Sequence, residues 1–116
     1  MGLRLAEGVE ITAVLTRRSV DELGLAVGKP AIALIKSSFV LLAKGEGLKT
    51  SARNQIPGEI LSRDDGAVTS EVTLDIGGGK TITASITLDS AQALDIAVGD
   101  RATALIKASH VILAVE

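Results

Sequence analysis

The sequence contains no cysteine, tryptophan or tyrosine, and Phe39 is its one residue from the Phe, Trp and Tyr group. Without cysteine the chain can form neither disulfides nor thiolate metal sites, which fits a reducing cytoplasm. With a single such ring, the core must be built from Val, Ile, Leu and Ala. The scarcity of aromatic side chains also disfavours a nucleic-acid binder of the OB type, because single-stranded bases need rings on which to stack.

An apolar run at the N-terminus and a strong net charge are missing as well. The sequence shows neither a membrane span nor the apolar core of a signal peptide. The net charge is −2 over 116 residues, whereas neutralising phosphates needs clustered Lys and Arg. We therefore expect no nucleic-acid or membrane partner for this chain alone. The 47% hydrophobic content is typical of a globular protein, and units this small would gain from association.

What the sequence does contain is an internal repeat. Residues 3–43 align with residues 74–114 at a constant offset of 71 without a gap, and 20 of the 41 paired positions are identical. The second copy also has a leader, whose counterpart would lie before Met1. We therefore expect a partial first repeat over residues 1–46 and a complete second repeat over 47–116, with the linker near Lys44–Lys49.

Most segments have the pattern of β-strands. Residues 10–16 and 81–87 place β-branched side chains in rough alternation, as half-buried strands do. Two further short strands, 58–62 and 71–76, are separated by a turn signal at 64–66.

The remaining segments predict bends and short helices. The apolar runs 31–43 and 102–115 are each interrupted by a polar step at a lysine, which favours two strands and a bend over one helix. Ser19 and Ser90 lie near the start of one or two helical turns. Five short strands and one helical turn per complete repeat predict an all-β fold of OB-like small barrels, one complete and one partial.

Two motifs invite a catalytic or phosphate-binding reading, but packing and turn formation explain them better. His110 is the only histidine, and its counterpart in the first repeat is Phe39, so the position favours a packed ring. The stretch 77–80, Gly-Gly-Gly-Lys, lacks the spacing of a Walker loop and continues as a strand, which predicts a tight hairpin connection. No Ser/His/Asp set or metal cluster can be assembled, and we predict that the protein is not an enzyme.

Hydroxyl groups recur where a strand enters a helical turn. Thr16 and Ser19 in the first repeat correspond to Thr87 and Ser90 in the second. A free helix N-terminus exposes N–H donors and the positive end of a dipole, so it attracts anions. The structural alternative is that each serine only caps the N-terminus of its helix and binds no ligand.

Cations accompany these hydroxyls. Lys36 and Lys107 recur seventeen residues after the two serines, and a lysine in an apolar strand either has a partner or extends to solvent. Adding Ser51, Arg53 and Asn54 gives a set of donors without a carboxylate. Such a set suits a tetrahedral oxyanion.

The segments TSARNQIPGEI, GAVTSEVTLDI and ATALIKASHVIL resemble the molybdate-binding Mop (TOBE) domains. These domains occur in molbindins, in the molybdate-responsive transcription regulator and in molybdate transporter ATPases. The resemblance covers residues 50–116 as a whole domain and residues 3–43 as the latter part of another. It implies an OB-like barrel that binds molybdate or tungstate between subunits or domains, with no cofactor and no metal cation.

The resemblance also assigns residues to the pocket. Ser51, the Ala52 N–H and Arg53 would form one half, with Asn54 as a possible supporting residue. The other half would contain a hydroxyl pair and a lysine and would occur twice, as Thr87, Ser90 and Lys107 and as Thr16, Ser19 and Lys36. Because the first repeat lacks its leading strand, one barrel edge needs a partner, and we expect strand exchange in an oligomer to complete it.

The resemblance implies a cytoplasmic homo-oligomer that binds molybdate or tungstate for molybdenum storage or homeostasis. The alternative is a ligand-sensing regulatory module detached from a molybdate-responsive transcription regulator or a molybdate transporter ATPase.

Overall fold

The structure is a computed structural model that describes residues 1–6, 8–44 and 49–115, with Ala6 described by its backbone alone. The predicted linker therefore lies mostly outside the described residues. Neither of the two short helices in the described part of the chain has the length or apolar character to cross a membrane.

The described elements follow the predicted order of strands and short helices. In chain order they are β1 (Gly2–Ala6), β2 (Val9–Thr12), α1 (Arg17–Leu23), β3 (Ile32–Ile35), β4 (Leu41–Lys44), β5 (Asn54–Asp65), β6 (Thr69–Gly77), β7 (Lys80–Thr87), α2 (Leu88–Ala93), β8 (Arg101–Ile106) and β9 (Val111–Ala114). The 3-10 turns Ser37–Phe39 and Ala108–His110 separate β3 from β4 and β8 from β9. Each long apolar run is thus two strands and a bend, as predicted.

The second repeat forms most of a five-stranded antiparallel sheet in the order β4-β8-β5-β6-β7. Along β5 the side chains alternate between exposed and buried from Asn54 to Ile60, because successive residues of a strand face opposite sides of a sheet. At the far side of the sheet, β7 contacts the 3-10 turn that precedes β4. The sheet therefore curls back toward its first strand, and the predicted OB-like all-β fold is confirmed.

The two repeats exchange their last strands within the chain. By the sequence offset, β3 corresponds to β8 and β4 corresponds to β9. The observed pairs are β4 with β8 and β3 with β9, with Leu41 opposite Leu105 and Leu34 opposite Ile112. These two registers are equivalent under the offset, so a pseudo-two-fold axis relates the repeats. The strand exchange that the sequence predicts between subunits stays a prediction, whereas this exchange joins the repeats of one chain.

The rings of Phe39 and His110 stack on each other near this axis. Their centroids are 4.3 Å apart and their planes differ by 26°. Phe39 and His110 occupy equivalent positions in the two repeats, so each repeat contributes the same position to this contact. His110 is therefore a packing residue, as the sequence predicts.

The stretch Gly77–Lys80 closes the hairpin between β6 and β7. Gly77, Gly78 and Gly79 have φ values of 99°, 62° and 74°, which residues with a Cβ rarely adopt. The glycines are thus required by the turn, and the predicted hairpin connection is confirmed.

Candidate functional site

The hydroxyl pairs close the N-termini of the two helices in the same way. Thr16 is the N-cap of α1, and its Oγ1 accepts a hydrogen bond from Ser19 N at 3.1 Å and donates one to Ser19 Oγ at 2.9 Å. Thr87 caps α2 with the same two bonds to Ser90, at 3.1 and 2.7 Å. The threonines, rather than the serines, are therefore the caps, which corrects the sequence-based alternative. Because each serine Oγ accepts the threonine proton, its own proton remains available to an anion.

The two lysines also occupy equivalent positions. Lys36 and Lys107 are each exposed and immediately precede a 3-10 turn. The Lys36 ammonium lies 5.5 Å from the centroid of the Phe39 ring, within the range of a cation–π contact. Within the described ranges the Lys107 ammonium has neither a hydrogen bond nor an ion pair. Both lysines reach solvent, so neither requires a buried partner.

The leader segment of the second repeat is a short turn before β5. Ser51 and Arg53 are exposed, and neither side chain has a polar partner among residues 1–6, 8–44 and 49–115. The Ala52 N–H donates to Thr50 Oγ1 at 3.1 Å, and Gln55 Nε2 donates to the same oxygen at 3.2 Å. The turn is thus held by its own residues, and the Ala52 donor is already engaged.

Asn54 has a structural role. Its side chain is 3% exposed, Oδ1 accepts from Thr12 N at 2.6 Å, and Nδ2 donates to Thr12 O at 2.8 Å. The side-chain amide thus bonds to Thr12 with one donor and one acceptor, as the backbone of a neighbouring strand would. These bonds connect the leader of the second repeat to the first repeat. Both polar functions of the Asn54 amide are thus used inside the protein.

Further contacts bring other groups to the same place. Val14 N donates to Ala108 O at 3.0 Å, which joins the turn after Lys107 to the chain just beyond β2. In the β5–β8 ladder Asn54 is opposite Ile106, so Arg53 and Lys107 follow side by side at the end of that ladder.

The structure thus assembles one set of donors from both repeats. We call it the complete cluster: Ser51, Arg53 and Lys107 from the second repeat, beside the segment that leads to Thr16 and Ser19 of the first. The resemblance grouped Lys107 with Thr87 and Ser90, and Lys36 with Thr16 and Ser19. In the structure the turn after Lys107 instead bonds to the segment that leads to Thr16 and Ser19, and the turn after Lys36 lies beside Thr87 and Ser90.

The second hydroxyl pair lies elsewhere. Thr87 and Ser90 line a surface hollow of about 440 Å³ together with Ser38 and Leu41 of the first repeat. Lys36 precedes the turn that contains Ser38, so we call Thr87, Ser90 and Lys36 the incomplete cluster. The described residues place no second leader segment beside it.

The two clusters differ in charge, which comparison of the non-identical positions in the repeats could have revealed. The first turn of α1 begins with Arg17 and Arg18, and their counterparts in α2 are Leu88 and Asp89. The Arg18 side chain pairs with Glu22 at 2.9 Å, so Arg17 is the additional cation beside Thr16. The complete cluster is therefore the more positive one, whereas Asp89 opposes an anion at the incomplete cluster.

The described residues contain no group of three or more His, Asp or Glu side chains suited to a metal ion. The titratable residues with shifted pKa values form a separate pair on β5. A hydrogen bond from Arg63 at 2.9 Å and another from Ser70 at 2.7 Å lower the pKa of Asp65. The Arg63 guanidinium also donates to Ile96 O at 2.9 Å. The pair joins β5 to the loop after α2, which is a structural function.

The sequence pattern of the TOBE domain family matches residues 3–42 and 50–113. These ranges follow the two repeats and cover most of the chain.

Two curated relatives are similar over nearly the whole chain. The molybdenum-pterin-binding protein MopB of Rhodobacter capsulatus is 56% identical over 114 residues, which are 97% of this chain and 42% of MopB. The molybdenum transport protein ModE of Azotobacter vinelandii is 46% identical over 113 residues, which are 97% of this chain and 42% of ModE. The chain spans less than half the length of these relatives.

A solved structure of the cytoplasmic molybdate-binding protein ModG, with molybdate bound, superposes with a TM-score of 0.88 at 41% sequence identity. The superposition covers 92% of this chain and 77% of the ModG chain. The similarity therefore extends over both repeats.

Proposed function

The chain belongs to the TOBE domain family, and from that premise we propose that it binds molybdate or tungstate, without catalysis, at the complete cluster. The observation that supports the proposal is that the leader turn and the turn after Lys107 are both bonded to the segment of the first repeat that leads to α1. The Asn54 bridge to Thr12 and the bond between Val14 and Ala108 hold these three segments together.

The donors in the complete cluster match a tetrahedral dianion. Arg53 and Lys107 supply positive charge, and charge-assisted hydrogen bonds are the stronger ones. The hydroxyls of Ser19 and Ser51 supply neutral donors. Because Ser19 is fixed by the Thr16 cap before the ligand arrives, little side-chain ordering remains to oppose binding. A contact from the Ala52 N–H would replace its bond to Thr50.

The incomplete cluster, with Thr87, Ser90 and Lys36, would bind the same kind of anion more weakly. It has no leader segment among the described residues, and Asp89 adds a negative charge nearby. We therefore expect one strong oxyanion site per chain.

We propose storage or homeostasis of molybdenum in the cytoplasm as the biological role, with a homo-oligomer as the working form. The similarity to ModG, which is itself cytoplasmic and binds molybdate, supports this role. No cofactor is required, since the oxyanion is the ligand.

Calorimetric titration with molybdate, tungstate and sulfate at matched ionic strength tests the proposal. We expect molybdate and tungstate to bind. The Arg53→Ala variant should bind roughly 10- to 100-fold more weakly, because a hydrogen bond to a charged group contributes about 1.5–3 kcal/mol. Lys80→Ala removes the same charge at the β6–β7 hairpin and should bind normally. Absence of molybdate binding to the parent protein, or equal affinity in the Arg53 variant, would overturn the proposal.

A second candidate is a ligand-sensing module of a larger regulator. The observation that favours it is that the chain matches only 42% of ModE from Azotobacter vinelandii. An antibody against this chain would distinguish the two roles in cell extract. On a denaturing gel, which separates the copies of any oligomer, a band near 11.9 kDa supports storage, whereas a band of at least twice that mass supports the regulatory module.

A further inference from the structure

The leader turn contains two hydrogen bonds that end on one oxygen atom. The Ala52 N–H and the Gln55 side-chain amide donate to Thr50 Oγ1 at 3.1 and 3.2 Å. Both distances lie at the long end of the usual range for N–H···O bonds, and Thr50 and Gln55 are exposed. A single hydroxyl oxygen at the surface thus holds two donors of this turn, and it holds them weakly.

Gln55 lies on the same side of the chain as Arg53. Successive residues of an extended segment face opposite sides, and the buried Asn54 separates the exposed Arg53 from the exposed Gln55. In the β5–β8 ladder Gln55 is opposite Leu105, on the strand that leads to Lys107. The Gln55 amide therefore faces the same side as the Arg53 guanidinium, although the resemblance assigns it no part in the pocket.

The next exposed positions of β5 end this row of donors. Pro57 has no N–H and no polar side chain, and Glu59 carries a carboxylate, which repels an anion. Both residues are exposed on the side of β5 that carries Gln55. Gln55 is thus the neutral donor that lies between the cation Arg53 and the carboxylate of Glu59.

We propose that the Ala52 N–H and the Gln55 side-chain amide bind one oxygen of the oxyanion, and that Thr50 Oγ1 holds these two donors until the anion displaces it. The inference rests on the oxyanion site proposed above. It adds Gln55 to the ligand-binding residues and makes the Thr50 hydroxyl an internal competitor of the ligand. The affinity of the site is then set partly by a residue that does not have to touch the anion.

The exchange favours the anion because its oxygens are better acceptors than a hydroxyl. Hydrogen bonds to an ionised acceptor are shorter and about twice as strong as those to a neutral one, so both donors gain when an anion oxygen replaces Thr50 Oγ1. The displaced hydroxyl is at an exposed position, where water can satisfy it. The exchange costs the two bonds that end on Thr50 Oγ1, and this cost disappears if the hydroxyl is removed.

A purely structural role for Thr50 predicts the opposite effect on binding. A hydroxyl that accepts from the N–H two residues later is a common way to shape a turn. If Thr50 only shaped the leader, its removal would loosen the turn that carries Ser51 and Arg53 and would weaken binding. If Thr50 competes with the ligand, its removal strengthens binding. The direction of the change in affinity therefore separates the two roles.

Calorimetric titration of Thr50→Val with molybdate makes this test, because valine keeps the branched shape and lacks the hydroxyl. We expect its affinity to be about two- to tenfold higher than that of the parent, as for the loss of one competing acceptor. Thr50→Ser keeps the hydroxyl and is the matched control, so it should bind like the parent. An affinity in Thr50→Val that is equal to or lower than that of the parent would overturn the proposal.

Gln55→Met tests the side-chain donor, because methionine has a similar length and no N–H. Its molybdate affinity should be roughly three- to tenfold lower than that of the parent. Since the amide carries no charge, this loss should be the same at low and high ionic strength, whereas the loss in Arg53→Ala should shrink as salt screens the guanidinium. Gln92→Met, the same change at an exposed position of α2, should bind like the parent. Unchanged affinity in Gln55→Met would contradict the proposal.

Two-dimensional NMR of the ¹⁵N-labelled parent locates the contact and distinguishes the two ways in which the inference can fail. Molybdate should shift the signals of the Ala52 N–H and of the Gln55 side-chain amide. If the parent binds no molybdate, the oxyanion site itself is wrong and this inference falls with it. If the parent binds and Arg53→Ala weakens binding, but these two signals do not move or Thr50→Val binds no more tightly, the oxyanion site stands and this inference alone is wrong.

Discussion

At the scale of single residues, Asn54 connects the stability of the protein to the geometry of its site. Its amide is buried and makes two hydrogen bonds to the backbone of Thr12. This bridge ties the leader turn, whose own residues hold its shape, to the first repeat. A surface residue beside Arg53 could not fix the turn in this way.

Asn54→Ala should destabilise the protein, because Thr12 N–H and C=O lose their partners at a partly buried position. The expected cost is about 1–3 kcal/mol for each buried group left without a partner, measured by urea unfolding. Gln55→Ala, at the exposed neighbouring position, should change the unfolding free energy much less. If both variants unfolded at the same urea concentration as the parent, the bridge would have no structural importance.

Asp65 should make stability depend on pH. Hydrogen bonds from Arg63 and Ser70 lower its pKa in the folded state, so the ionised carboxylate stabilises the fold. This contribution is fully present above the unfolded pKa of about 3.9 and is lost as the pH falls through the lower folded pKa. The melting temperature of Asp65→Asn should therefore be lower than that of the parent at pH 7, with a difference that shrinks in acid.

Asp64→Asn is the control for this measurement, since it removes the same charge at an exposed position on the same strand. A difference between Asp65→Asn and the parent that stayed constant from pH 7 to strong acid would rule out the ionised pair as its cause.

At the scale of elements, the two short helices have the same N-cap geometry but differ in the charges of their first turns. Thr16 and Thr87 make the same bonds to Ser19 and Ser90. Among the described residues, α1 is the helix that follows the segment bonded to Asn54 and to the turn after Lys107. Removing the cap threonine should cost similar stability in the two repeats, whereas it should affect ligand binding only at α1. The pair of variants therefore separates an effect on stability from an effect on binding.

Thr16→Ala and Thr87→Ala should each cost about 0.5–2 kcal/mol, the usual effect of removing an N-cap. Molybdate affinity should fall in Thr16→Ala and change little in Thr87→Ala. Urea unfolding and calorimetry on both variants check the two statements. An affinity that falls equally in both would mean that the strong site is not confined to the complete cluster.

The sequence was sufficient for the type and order of most elements, since alternation and turn residues are local signals. It did not give the full length of β5, predicted over residues 58–62 and observed as Asn54–Asp65. Nor could it reveal the exchange of β4 and β9, because the two repeats have similar last strands. Each strand is compatible with either partner, and only the three-dimensional arrangement selects one.

At the scale of the whole molecule, the pseudo-two-fold axis gives each chain two hydroxyl-and-lysine sets but one described leader. The sequence indicated the residues of both sets from their recurrence. It grouped each lysine with the hydroxyl pair of its own repeat, because recurrence alone does not show the Asn54 bridge or the bond from Val14 to Ala108 that brings the Lys107 turn to the first repeat. Residue types are local information, whereas the grouping is a property of the fold.

The account predicts that the repeats depend on each other. Separated as residues 47–116, the second repeat loses β4 from the edge of β8 and loses β3 as the partner of β9. We expect two such fragments to exchange β9 strands, so that the pseudo-two-fold axis becomes a true one. Sedimentation should show a dimer. A stable monomer with the thermal stability of the full chain would contradict this view of the fold.

The number of molybdate ions bound tightly per chain, measured by equilibrium dialysis, tests the proposed oxyanion site most directly. Because the described residues contain one leader turn, which carries Ser51 and Arg53, we expect one ion bound tightly per copy of residues 1–116, with a lower affinity in Thr16→Ala. No tight binding, or two equivalent tight sites per chain, would contradict this expectation.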